Sequence, residues 1–140
     1  MEKILIPVDG SANAERAVAH VIAMIRKGRA VEVHLANVQP PLRENVSRFI
    51  ARREIEGYHR DEGEKALAGA KKRLADAGIA CTAHIGVGAA AETIADFAED
   101  IGADEIVMGT RGLGGLAGLL LGSVSTEVIR EAKVPVTLVK

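Results

Sequence analysis

At 140 residues, 48% apolar but only 2% aromatic, the chain has room for one domain with a core of Val, Ile, Leu and Ala, burying roughly 70% of its unfolded surface. A formal net charge of -1 gives no electrostatic reason to expect nucleic acid or an acidic membrane as a partner. The single cysteine, Cys81, excludes an internal disulfide and fits a reducing compartment. With no 18-residue apolar span and an opening run, Met1 to Pro7, too short for a signal peptide, a cytoplasmic location is expected.

The first strand is predicted over Lys3 to Val8. A helix follows in which Ala14, Ala17, Val18, Val21, Ile22 and Ile25 repeat at three and four residues, and Gly28 is its expected stop. Val31 to Val38 reads as the second strand, with Val31, Val33 and Leu35 alternating before Ala36 and Val38. The stretch from Pro40 to Arg60 is irregular. Its Arg43, Arg48, Arg52, Arg53 and Arg60 suggest a basic recognition patch, but Glu44, Glu54 and Glu56 offset them, and a mobile connection leading into a solvated helix start is the better reading. The second helix is predicted from about Asp61 to Ala77, with Leu67, Ala70, Leu74 and Ala77 inward and Gly78 as its stop. The third strand, Ala80 to Ile85, has the faintest pattern. A third helix runs from about Ala90 to Ile101, with Ile94, Phe97, Ala98 and Ile101 inward, then Gly102. The fourth strand is Glu105 to Met108, the last helix Ser123 to about Ala132, and the fifth strand Val134 to Val139. Strands alternating with helices imply β-α-β units, a parallel sheet and an α/β fold.

Two glycine turns carry the candidate chemistry. Gly109 and Gly112 follow the apolar run Ile106-Val107-Met108, and after nine residues Gly122 and Ser123 precede a helical pattern. A helix N-terminus offers unpaired amides and a positive dipole end, and glycine clears the approach to it. The spacing therefore suggests a phosphate cradle. In an open parallel sheet ligands sit beyond the carboxyl ends of the strands, where strand order reverses, so the turn Pro7-Val8-Asp9-Gly10-Ser11 matters as well. There Asp9 suits a ribose hydroxyl or an adenine amino group; taken alone, Asp9 and Ser11 read rather as turn and cap residues, and the ligand reading leads only when they are paired with the glycines after the fourth strand. Other nucleotide motifs fail on spacing: the dinucleotide fingerprint needs three glycines directly after an early strand, and no Gly-Lys-Ser or Gly-Lys-Thr occurs. A receiver domain would place clustered acids after the first strand, where Asp9 stands without an acidic neighbour.

Ile4-Leu5-Ile6-Pro7-Val8-Asp9-Gly10-Ser11, Met108-Gly109-Thr110-Arg111-Gly112, Leu121-Gly122-Ser123-Val124-Ser125 and Val134-Pro135-Val136-Thr137-Leu138-Val139-Lys140 together resemble the universal stress protein family in its nucleotide-binding form. The likeness runs nearly end to end. It implies one doubly wound, Rossmann-like domain over residues 1–140, of the adenine nucleotide alpha hydrolase-like kind, with a five-stranded parallel sheet in the order 3-2-1-4-5. By position, Asp9 would contact the ribose, Pro7 would lie near the base and Val38 would line the adenine pocket. Met108 and Gly109 would flank the nucleoside, and Gly112, Gly122, Ser123, Val124 and Ser125 would surround the phosphates, with Arg111 the one cation in the cradle. The expected ligand is ATP, with AMP or ADP as alternatives, accompanied by Mg²⁺; the expected role is stress-response regulation as a homodimer paired through Val134 to Val139, with a protein partner that the sequence does not identify. The intervening run Leu113 to Leu121 is unusually apolar.

Catalysis is the weaker expectation. Phosphoryl transfer draws its rate from a metal, positioned cations and an oriented nucleophile, and His20, His34, His59 and His84 are scattered with no ligand spacing. At most a slow ATP hydrolase or phosphotransferase fits, and a partner-binding dimer with no nucleotide is the remaining class.

Overall fold

The computed structural model describes residues 1–110 and 122–140. Five strands form one parallel sheet: β1 (Glu2–Pro7), β2 (Val31–Gln39), β3 (Cys81–Val87), β4 (Glu105–Gly109) and β5 (Val136–Val139), in the order β3-β2-β1-β4-β5. The helices are α1 (Ala12–Arg26), α2 (Glu44–Ser47), α3 (Arg52–Asp76), α4 (Ala90–Ile101) and α5 (Ser123–Glu131). Among the described residues no helix is long and apolar enough to cross a membrane.

Strand periodicity of two divides the core between the faces. Ile4, Ile6, Val33, Leu35 and Val107 pack against the stripe of α1 and against Leu67, Ala70 and Leu74 of α3. Leu5, Ala36, Ile106 and Met108 point the other way, onto Ile94 and Ala98 of α4 and Val128 of α5. Both faces are covered, which is why the strands read as nearly continuous apolar runs. The expected doubly wound α/β fold and its strand order are present.

Three boundaries differ from the sequence reading by two residues or more. The helix expected to start at Asp61 starts at Arg52, and the four-residue α2 precedes it. The added turns bury little but carry local pairs such as Arg52–Glu56 at 3.2 Å, support that an apolar-period search does not register. β5 starts at Val136, not Val134, because Pro135 lacks an amide proton for the ladder and contributes only its carbonyl, which accepts from the Ile106 N–H at 2.9 Å. β3 extends to Val87, two residues past its expected end.

Strand order reverses between β1 and β4, and there the ladder is short. Their register pairs Ile4 with Glu105 and Leu5 with Ile106, whereas β1 and β2 stay paired as far as Pro7 and Ala36. At the opposite, amino end the two strands are tied together. The Lys3 N–H donates to Asp104 Oδ2 at 2.8 Å, and Arg29 pairs with Glu2 at 2.6 Å and Glu105 at 3.8 Å.

Candidate functional site

Beyond Leu5 and Ile106 the strands β1 and β4 part, and a cavity of about 210 Å³ opens at their carboxyl ends. Pro7 and Asp9 line it after β1, Val38 at the end of β2, Met108 and Gly109 at the end of β4, and Gly122, Ser123, Val124 and Ser125 at the start of α5. The chain thus brings these residues to one hollow. Arg111 and Gly112 lie outside the described residues.

Asp9 plays the turn role weighed from the sequence and also borders the cavity: its Oδ1 accepts the Ser11 N–H at 2.9 Å. Between them Gly10 has φ +87°, a conformation that side chains disfavour. Ser11 then caps α1, its hydroxyl accepting the Ala14 N–H at 3.3 Å. The other two helices that start at the cavity are treated differently. Neither α4, entered through Ala89, nor α5, entered through Gly122, has a side-chain cap. Their first amides have no side-chain acceptor from the cap, the condition under which a helix end receives an anion.

Gly109 is required by packing as well as by approach. A Cβ there would lie 3.0 Å from Asn13 Cα and closer still to the Asn13 carbonyl, so the end of β4 seats directly on the first turn of α1. The next residue, Thr110, is buried and anchored: its N–H and its hydroxyl both donate to the Val139 carbonyl, at 2.9 and 3.3 Å. Its own carbonyl accepts from Arg16 Nη2 at 3.2 Å, and the same nitrogen bonds Asn13 Oδ1.

Sequence reasoning missed several lining residues. Asn37, 3% exposed, donates from Nδ2 to the Val8 carbonyl at 2.8 Å and accepts from Gln39 Nε2 at 2.7 Å, fixing the floor between β1 and β2. No sequence signal marked it, because β2 also carries Glu32, His34 and Gln39. Asn13, Ala90 and Ile94 complete parts of the wall. Among the described residues Asp9 is the one charged residue lining the cavity, and no Lys, Arg or His of theirs lines it.

The histidines are not all scattered. The β2–β3 register sets Ala36 beside His84, and His34 Nδ1 meets His84 Nε2 at 3.0 Å, with the rings stacked at 5.2 Å. His34 Nε2 pairs with Glu32 at 2.7 Å. Burial, then the neighbouring His34, holds the His84 imidazole below its ordinary value. The His34 bond lowers Glu32. Even so, among the described residues no three His, Cys, Asp or Glu side chains converge as a metal site.

Comparison with known proteins places this architecture. The universal stress protein family matches residues 1–140. The chain belongs to the universal stress protein family. It is similar to a universal stress protein of Methanocaldococcus jannaschii, 37% identical over 145 residues that span 99% of this chain and 82% of that protein. Among solved structures, it superposes on the MJ0577 protein of the same organism with a TM-score of 0.77 and 37% identity, covering 99% of this chain and 95% of the other. A universal stress protein from Archaeoglobus fulgidus, solved in complex with dAMP, gives a TM-score of 0.72 at 26% identity, over 100% of this chain and 98% of that one.

Proposed function

We propose that this universal stress protein binds an adenine nucleotide, ATP by preference, in the cavity between β1 and β4, and acts through that occupancy as a regulatory dimer. One observation carries the reading: Asp9 from the β1 turn, Gly109 from β4 and the uncapped start of α5 at Gly122 to Ser125 all border a single hollow at the reversal of strand order. Adenine enters against Val38, Met108 and Ile94; ribose hydroxyls donate to Asp9; phosphates take the amides of the Gly122 turn. The A. fulgidus relative in complex with dAMP supports the ligand class.

Magnitudes favour a shared task. Micromolar affinity needs about 8 kcal/mol, and a helix dipole supplies about 0.3–1 kcal/mol. Base burial and the hydroxyl contacts therefore provide most of the binding. Mg²⁺ fits as a companion of the phosphates: the cavity contributes one carboxylate, Asp9, and serine hydroxyls, too few to build a cation cage, and Mg²⁺ ordinarily combines few carboxylates with phosphate oxygens.

Thermal-shift titration with ATP tests the placement. Gly122 has φ -61°, so Gly122→Val introduces no backbone strain while its branched side chain crowds the phosphate side. ATP at a hundred times its Kd stabilises a single-site binder by about 2.7 kcal/mol, which raises the wild-type melting temperature by several degrees. The valine variant loses most of that rise. An equal response in both proteins refutes the site.

A further inference from the structure

We propose that Arg16 is the cation that receives the outer phosphates of the bound nucleotide, a role that rests on the nucleotide reading above. Arg16 lies one helical turn after Asn13, on the same face of α1, and Asn13 lines the cavity. Its guanidinium bridges Asn13 Oδ1 and the Thr110 carbonyl, so it stands where β4 gives way to the glycine-spaced segment.

Both of those acceptors are neutral. Among the described residues Arg16 pairs with no carboxylate, and its Nε is buried without any acceptor. Guanidinium groups withdrawn from water are ordinarily matched by an anion, since neutral acceptors compensate only part of the lost hydration. The cavity supplies no such anion to Arg16. Its lining, conversely, supplies no cation among the described residues to a multiply charged ligand. A triphosphate resolves both deficits: the planar fork of Arg16 trades neutral acceptors for phosphate oxygens, a charge-assisted bond of about twice the strength. Adenosine, lacking phosphates, makes no use of the group.

Calorimetric titration of ATP and of adenosine into the wild type, Arg16→Gln and Arg16→Lys separates the possibilities. Arg16→Gln weakens ATP binding about tenfold and leaves adenosine binding unchanged. Arg16→Lys, which retains charge but not the fork, gives a smaller loss for ATP alone, and in both variants the difference from wild type shrinks as salt rises. If the two ligands weaken by the same factor, Arg16 only shapes the site; if ATP is unaffected, it does not meet the phosphates. Either result overturns the proposal. Should the Gln variant fail to fold, the ATP-to-adenosine ratio of the Lys variant decides alone. Wild-type protein that binds neither ligand overturns the nucleotide reading itself, an outcome distinct from intact wild-type binding with an indifferent Arg16.

Discussion

Gly109 illustrates how one residue answers two demands. From the sequence it reads as a glycine clearing the way to phosphates; in the fold it is pressed on the backbone of Asn13, where any Cβ collides with main-chain atoms that cannot rotate aside. Gly109→Ala therefore costs about 1–3 kcal/mol of stability, measured by urea denaturation of the protein without ligand. A melting curve indistinguishable from wild type contradicts the packing assignment. The glycine spacing was legible because glycine is scarce in strand ends and conspicuous there. Asn37 and Arg16 were not, since an amide in a strand and an arginine in an amphipathic helix acquire meaning only from what stands opposite them: the Val8 carbonyl for one, Thr110 for the other.

Among elements, the pairing of β2 with β3 has the clearest pH consequence. His34 and His84 share one hydrogen bond, in which one ring donates and the other accepts, so two imidazolium rings cannot keep it. Burial and His34 lower the folded value of His84 from its ordinary 6.5, and Glu32, bonded to His34 and facing Lys3, is lowered as well. The sign is the same for both: the unfolded chain binds more protons, so stability is full above the unfolded values and is lost as pH falls through the folded ones. The His84 share fades below about pH 6.5, and the Glu32 share below the ordinary carboxylate range. Phe97 of α4 covers His84 with an uncharged ring. His84→Gln flattens the upper part of this profile, which urea midpoints between pH 7 and pH 5 check; an unchanged slope assigns the acid sensitivity elsewhere. The pair escaped the sequence reading because fifty residues separate its members, and only strand register sets them side by side. The early start of α3 escaped for a different reason: its first turns are held by charged neighbours and not by an apolar stripe.

For the whole molecule, the alternation of strands and helices made the layered architecture readable, while strand order came from family resemblance and register from neither. β3 and β5 are the outermost strands of the sheet. The residues of β5, Val136 to Val139, stay half-buried within one chain, which leaves apolar surface for a second copy. Light scattering at micromolar concentration is expected to give the mass of a dimer, and a monomeric mass counts against pairing through β5. The short β1–β4 ladder shapes what binding does to the sheet as a whole. Its two halves are sewn at the Arg29 end and diverge at the other, like a hinge with its pin at the base. A guest lodged in that opening, as proposed above, touches both halves of the sheet at once, at the place where their own ladder has ended.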